Sequence, residues 1–193
     1  MPSLTELASY LESIAPAQIA ESWDNVGVLV RCAQEVTGVL CALDITPATV
    51  REARAVGCNA IVSHHPVIFR PLKELRQDDV PALLVREGVS AVCMHTNLDK
   101  AQGGVNDVLA QALGLRDTEP FAGGIGRVGV LPETMEAAAF AQFVGKALAA
   151  REMGGRPRPG APRGRCERQR RRFFRRGGRR GRGLPCDGRG RAP

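Results

Sequence analysis

All three histidines of this 193-residue chain lie in two short polar stretches, and each stretch directly follows an apolar, strand-like run. His64 and His65 follow a run that ends at residue 62. His95 follows a run that ends at residue 94, and Asp99 lies four residues further on. Open α/β sheets place their ligand crevices at the carboxyl ends of strands. Because imidazole together with carboxylate suits Zn, Mn or Fe, these residues predict a divalent-metal site.

Two adjacent histidines can serve one site only if the chain leaves the strand at that point. On a regular strand His64 and His65 would point to opposite faces, and the proline at position 66 favours a break. Neighbouring imidazoles suit two neighbouring ions better than one shared ion. Asp99 is the candidate bridge between such ions, which usually lie roughly 3.5–4 Å apart. The alternative is that both stretches are polar loops with surface histidines.

The elements that must position these residues follow from apolar periodicity. The predicted order is helix 4–14, strands 26–30 and 36–43, helix 46–56, strand 60–62, a helix from 78 or 79 to 87, strand 89–94, a helix ending at 113, strand 126–131 and helix 133–150. Ser3 and Glu6 predict a capping box, and Thr46 before Pro47 predicts a second helix start. The fold class is therefore a layered α/β lobe, residues 1–150, with a largely parallel sheet flanked by helices.

Other candidate residues have simpler interpretations. Trp23, the chain's one tryptophan, is interpreted as the anchor of a turn. Asp44 is interpreted as a helix cap, and a place in the crevice is the second choice. No Gly-rich phosphate loop, Ser-His-Asp spacing or C-x-x-C pair occurs in the chain, so the six cysteines indicate reduced thiols.

Taken together, the motifs resemble the N-terminal half of the GTP cyclohydrolase 1 type 2 homologues, also called Nif-three-like dinuclear metal centre proteins. The resemblance covers roughly residues 1–150. It is carried by W-D-N-V-G at 23–27, L-D-I-T at 43–46, S-H-H-P-V-I-F at 63–69, H-T-N-L-D at 95–99 and G-G-V-N-D at 103–107.

The resemblance implies a dinuclear-metal, hydrolase-like protein of unknown substrate, a purine nucleotide being one candidate, that assembles into homohexamers. It implies that His64, His65 and Asp99 are metal ligands and that His95 lies beside the site. The family has two metals per subunit and takes further ligands from a G-D-x-x-H-H stretch and an H-x-x-x-E element. Neither occurs here, and no histidine follows His95. We therefore expect at most one ion in this chain, and an inactive, truncated product.

Residues 151–193 differ sharply from the rest of the chain. They hold 16 of the 27 Lys and Arg but only 3 of the 20 Asp and Glu, so residues 1–150 are acidic and the tail is strongly basic. With 10 Gly and 5 Pro and no apolar period, this segment predicts a disordered, low-complexity tail. Because Arg, Gly and Pro have GC-rich codons, we interpret it as a frameshifted remnant of the family's second half. Sequencing the gene tests this idea, which fails if no single-base change restores the missing motifs.

The alternative function is nucleic-acid binding through the Arg-rich tail, because such segments bind RNA phosphates. Salt-dependent RNA binding that disappears on deletion of residues 151–193 would favour this alternative. The chain has no secretory signal and no apolar run of about 18 residues, so a cytoplasmic protein without a membrane span is expected.

Overall fold

The computed structural model describes residues 1–149, in which helices and strands alternate largely as the apolar pattern predicts. The chain divides into two units, the first of which is residues 1–133; of the second, the structure describes residues 134–149. The disordered tail predicted for residues 151–193 lies outside the described residues. The predicted domain boundary at residue 150 therefore stays a prediction.

Six strands and six α-helices make up the described chain. The strands are β1 (Gly27–Val30), β2 (Val39–Ala42), β3 (Ala60–Ser63), β4 (Ser90–Cys93), β5 (Arg116–Phe121) and β6 (Gly126–Val130). The α-helices are α1 (Leu4–Ile14), α2 (Pro47–Ala55), α3 (Val80–Arg86), α4 (Thr96–Lys100), α5 (Val105–Ala112) and α6 (Ala137–Ala147). All but α6 belong to the first unit.

A four-stranded sheet in the order β1-β4-β3-β2 forms the centre of the first unit. β2, β3 and β4 run parallel, and β1 joins β4 antiparallel, which confirms the prediction of an α/β fold with a largely parallel sheet. Ala42 pairs with Ser63, and Ser63 pairs with Cys93, so the three parallel strands end level with one another. The residues that follow these strands therefore emerge side by side at one edge of the sheet.

Helices cover both faces of this sheet. Val50 of α2 and Leu84 of α3 are fully buried in the cluster that contains Ile61 of β3. On the opposite face, Leu4 of α1 is buried with Val92 of β4. Because β4 is buried along its whole length, its side chains are small or apolar on both faces, as two-sided burial requires.

Both helix starts that the sequence predicts are confirmed. The Ser3 hydroxyl accepts a hydrogen bond from the Glu6 backbone N–H at 3.1 Å, and the Glu6 carboxylate accepts one from the Ser3 N–H at 2.7 Å. Thr46 caps α2 directly before Pro47. These local bonds satisfy backbone donors that the first helical turn leaves without a partner.

Three elements differ from the sequence prediction. The stretch after β4 is the short helix α4, with His95 at its N-cap position, rather than a loop. β5, which pairs with β6 in a separate two-stranded sheet, was not predicted because all six of its residues are exposed and none alternates with a buried neighbour. The helix predicted for residues 133–150 is limited to α6.

Within residues 1–149, no helix is both long enough and apolar enough to cross a membrane.

We expect Leu84→Ala to lower the free energy of unfolding by about 2–5 kcal/mol, because it empties a fully buried site under the sheet. Val85→Ala is the matched control, because Val85 lies next to Leu84 on α3 and is 60% exposed. That change should cost less than about 0.5 kcal/mol. Urea unfolding followed by circular dichroism measures both, and equal shifts would contradict this description of the core.

Candidate metal centre

The level ends of β2, β3 and β4 bring the predicted site residues together. Beyond β3, the His64 N–H donates to the Ala42 carbonyl at 3.1 Å and the His65 N–H donates to the Leu43 carbonyl at 2.9 Å. These bonds keep the histidine pair beside the end of β2. The Ser63 hydroxyl donates to the His65 carbonyl at 2.9 Å and closes a bend there. The chain therefore leaves the regular strand at the histidine pair, as one shared site requires.

Three imidazole rings form what we call the histidine cluster, which consists of His64, His65 and His95. The centroid of the His64 ring lies 5.2 Å from each of the other two, and those two are 5.8 Å apart. One ring nitrogen from each residue lies within 4.8 Å of the others. Nitrogens that share a tetrahedral zinc ion at 2.0–2.1 Å are about 3.3 Å apart, so small side-chain adjustments bring the cluster to ligand distance.

The Nδ1 atom of every ring in the cluster already has a protein partner. His64 Nδ1 lies 3.0 Å from the Met94 carbonyl oxygen, and His65 Nδ1 lies 2.7 Å from an oxygen of Asp44. His95 Nδ1 lies 2.8 Å from an oxygen of Asp24. A carbonyl oxygen can only accept, so His64 Nδ1 carries the hydrogen and Nε2 of the neutral ring keeps its lone pair. Metal-binding histidines are typically held in this way by a carbonyl or carboxylate behind the ring.

Asp99 approaches the histidine cluster from α4. Its carboxylate oxygen lies 3.8 Å from His64 Nε2, and both side chains are largely buried. His95 and Asp99 are four residues apart, and the Asp99 N–H donates to the His95 carbonyl, so the first turn of α4 places both on one side. The donor set of three imidazoles and one carboxylate fits a borderline metal such as Zn, Mn or Fe.

Burial and hydrogen bonding set the charges around the cluster. The side chain of Asp24 has no exposed surface. Burial raises the pKa of Asp24, but hydrogen bonds from Thr96, His95 and the Asn25 backbone lower it by more. The pKa of Asp24 is therefore below its usual value, and its carboxyl group is ionised. Burial, together with the negative charge of Asp24, raises the pKa of the Cys93 thiol to about 12. Cys93 is therefore a neutral thiol, and its S–H donates to the His64 carbonyl at 3.2 Å.

An apolar cavity of about 500 Å³ adjoins His64. Its walls include Leu11 of α1, Leu43 after β2 and Leu98 of α4. On another side, Trp23 packs edge-on against Phe69 and His95 with ring centroids 5.9 and 6.4 Å away. Apolar side chains therefore adjoin the histidine cluster on two sides.

The structure brings all four residues of the sequence prediction to one place. His64 and His65, two of the predicted ligands, contact each other's rings, and the third, Asp99, reaches the cluster through His64. A ring nitrogen of His95 lies within 4.8 Å of one in His64 and one in His65, so His95 is part of the cluster, whereas the resemblance implies a place beside the site. Which of these side chains bind an ion stays a prediction.

Two carboxylates behind the rings lie outside the predicted ligand set, although a place in the crevice is the second choice for Asp44. The interpretation of Asp44 as a helix cap is wrong, because Thr46 caps α2 and the Asp44 side chain holds His65. Asp24 lies in the turn that holds Trp23, and its side chain bonds to His95, 71 positions further along the sequence. No local pattern signals a contact of that range.

Comparison with known proteins shows similarity to one family. A sequence model of the Duf34/NIF3 (NGG1p interacting factor 3) family matches residues 2–158. A Staphylococcus aureus protein named GTP cyclohydrolase 1 type 2 homolog is 42% identical over 118 residues, which are 59% of this chain and 32% of that protein. A Lactococcus lactis protein of the same name is 42% identical over 125 residues, which are 61% of this chain and 49% of that protein.

Solved structures show the same fold. The crystal structure of a hypothetical protein from Staphylococcus aureus is similar with a TM-score of 0.70 and 29% sequence identity, covering 78% of this chain and 65% of that one. This chain spans about a third of the length of the first of these two curated relatives and about half of the length of the second.

We expect Cys93 to resist alkylation by iodoacetamide at about pH 8.5, because a buried thiol with a pKa of about 12 holds almost no reactive thiolate. Cys41, which is exposed on β2, is the internal control and should react. Mass spectrometry of peptides from the folded chain measures both sites. Equal labelling of Cys93 and Cys41 would contradict the charge and burial assigned to this part of the site.

Proposed function

Because this chain belongs to the Duf34/NIF3 family, we propose that it binds one divalent metal ion at the histidine cluster, with the carboxylate of Asp99 as a further ligand. The ion is Zn, Mn or Fe, since these metals accept imidazole and carboxylate together. The proposal rests chiefly on one observation, the approach of three ring nitrogens to within 4.8 Å of one another.

One ion per chain, rather than two, follows from the number of donors. The family resemblance implies two ions, whose further histidine and glutamate ligands come from a second half. Residues 96–193 of this sequence contain no histidine. Three imidazoles and one carboxylate complete the shell of a single four-coordinate ion. We therefore propose that residues 1–193 do not by themselves hold the two metals that two-metal hydrolysis requires.

A bound ion would lower the pKa of a coordinated water and polarise an oxygen of the substrate. The described residues contribute in other ways. The partners behind each ring fix its direction, and Trp23 packs against the His95 ring at a centroid distance of 6.4 Å. Asp99, 3.8 Å from His64, is the carboxylate placed to balance the positive charge.

A purine nucleotide is the substrate class that we propose for the intact family site. The cavity beside His64 has the size of a small-molecule site and is lined by apolar side chains, which suits a planar ring.

Leu43→Asp, at a position that is 61% exposed, should weaken GTP binding by the zinc-loaded chain in calorimetry. Unchanged affinity would remove the cavity from the proposal. The homohexamer and the cytoplasmic location stay predictions from the resemblance.

Metal analysis tests the proposal directly. We expect the purified chain, loaded with Zn, Mn or Fe and then dialysed, to retain at most one ion, and the double variant His64→Ala, Asp99→Ala to retain none. The reason is that this variant removes two of four donors. Elemental mass spectrometry against protein concentration gives the ratio.

Asp78→Ala is the matched control, because the Asp78 side chain is 80% exposed and pairs only with Arg76 among the described ion pairs. It should leave the ratio unchanged. Two tightly held ions per chain would contradict the donor count, and an ion retained by the double variant would contradict the site.

A further inference from the structure

Asp24 is a buried carboxylate whose two oxygens receive four hydrogen bonds. One oxygen, Oδ1, lies 2.8 Å from His95 Nδ1 and 2.8 Å from the Asn25 backbone nitrogen. The other, Oδ2, accepts the Thr96 N–H at 3.0 Å and the Thr96 hydroxyl. A carboxylate offers about four lone-pair positions, so every acceptor position of Asp24 is in use.

The direction of the Thr96 hydroxyl hydrogen is fixed by its other neighbour. The Glu21 backbone N–H donates to Thr96 Oγ1 at 2.9 Å, so the hydroxyl accepts there and turns its own hydrogen toward Asp24. Thr96 is only 2% exposed. Three of the four partners, the Asn25 N–H, the Thr96 N–H and the Thr96 hydroxyl, therefore donate to Asp24 and hold it in one orientation.

This arrangement determines which nitrogen of His95 is free. Because an ionised Asp24 only accepts, the hydrogen between the two residues is carried by His95 Nδ1. We propose that Asp24 is a positioning residue of the metal centre: it fixes His95 as the Nδ1–H tautomer and presents the Nε2 lone pair to the other two imidazoles. The role of this tautomer in metal binding rests on the function proposed above, whereas the tautomer itself does not.

Asp44, which stands behind His65, differs from Asp24 in a way that provides a control. Its side chain is 56% exposed, and its only side-chain hydrogen bond within residues 1–149 is the one to His65. In Asp44→Asn the amide can therefore turn its oxygen toward His65 Nδ1 and its NH₂ group toward solvent. The tautomer of His65 should not change.

Asp24→Asn has no such freedom, because one oxygen becomes an NH₂ group among four donors. If the NH₂ group faces Thr96, a buried backbone N–H loses its acceptor. If it faces His95 and Asn25, the half-buried Asn25 N–H can turn to water, and His95 can become an acceptor by moving its hydrogen to Nε2. The second arrangement is favoured because an unpaired N–H costs more when buried. Replacing an Asp that orients a histidine by Asn is known to give the wrong tautomer.

Nitrogen-15 NMR of the imidazole rings in the metal-free, full-length chain tests this proposal. At about pH 9, above the ordinary His pKa of about 6.5, neutral rings report their tautomer directly. The chain has only three histidines, so His95→Gln assigns the signal. We expect His95 to be Nδ1–H in the wild type and in Asp44→Asn, and Nε2–H in Asp24→Asn. An Nε2–H ring in the wild type, or an unchanged tautomer in Asp24→Asn, would overturn the proposal.

Cobalt binding, followed by its visible absorption, provides the second readout. We expect Asp24→Asn to weaken the affinity by about 10–100-fold, the usual effect of losing a partner behind a metal-binding histidine. Asp78→Asn, at an exposed position, should bind within about twofold of the wild type. Equal affinity of Asp24→Asn and wild type would refute the positioning role. A wild type that binds no cobalt would refute the proposed function, while the tautomer still decides whether Asp24 orients His95.

Thermal unfolding by circular dichroism accompanies both measurements, because Asp24 also joins two segments of the fold. If Asp24→Asn does not fold, the wild-type ring spectrum alone decides the proposal. If Asp24 had a purely structural role, Asp24→Asn would change the unfolding temperature without moving the hydrogen of His95 from Nδ1 to Nε2.

Discussion

The metal centre proposed for this chain depends on hydrogen bonds made on the outer side of each imidazole ring. Hydrogen bonds to Met94, Asp44 and Asp24 engage the Nδ1 atoms of the histidine cluster. The Nε2 atom of each ring therefore remains available to bind a metal ion. Without these partners, three neutral imidazoles would have no reason to turn the same nitrogen inward. The carboxylate of Asp99 then adds the negative charge that favours a cation at this point.

The sheet supplies the second requirement, which is proximity. Because β2, β3 and β4 run parallel and end level, Asp44, the histidine pair and His95 leave the sheet at the same edge. The core beneath them is tightly buried, with β4 inaccessible along its whole length. A change of one residue in register would turn every side chain of a strand to the other face, so core packing and ligand geometry are linked.

Much of this arrangement could be predicted from the sequence, and the part that could not has a physical reason. The histidine cluster is visible because histidine is scarce and each occurrence follows an apolar strand. The capping residues Ser3 and Thr46 mark their helices because caps are local. The sequence does not signal Asp24, because His95 and Thr96 lie more than 70 positions away from it, and Asp44 resembles a cap because it is an acid just before a helix. β5 carries no alternation because none of its residues is buried.

The position of a bound ion relative to the three rings tests this account most directly. Crystals of the full chain soaked with zinc, with data collected at the zinc absorption edge, locate the ion by its anomalous scattering. We expect one peak, within about 2.1 Å of Nε2 of the rings of the histidine cluster. A peak at an Nδ1 atom, or an ion bound away from these rings, would contradict it.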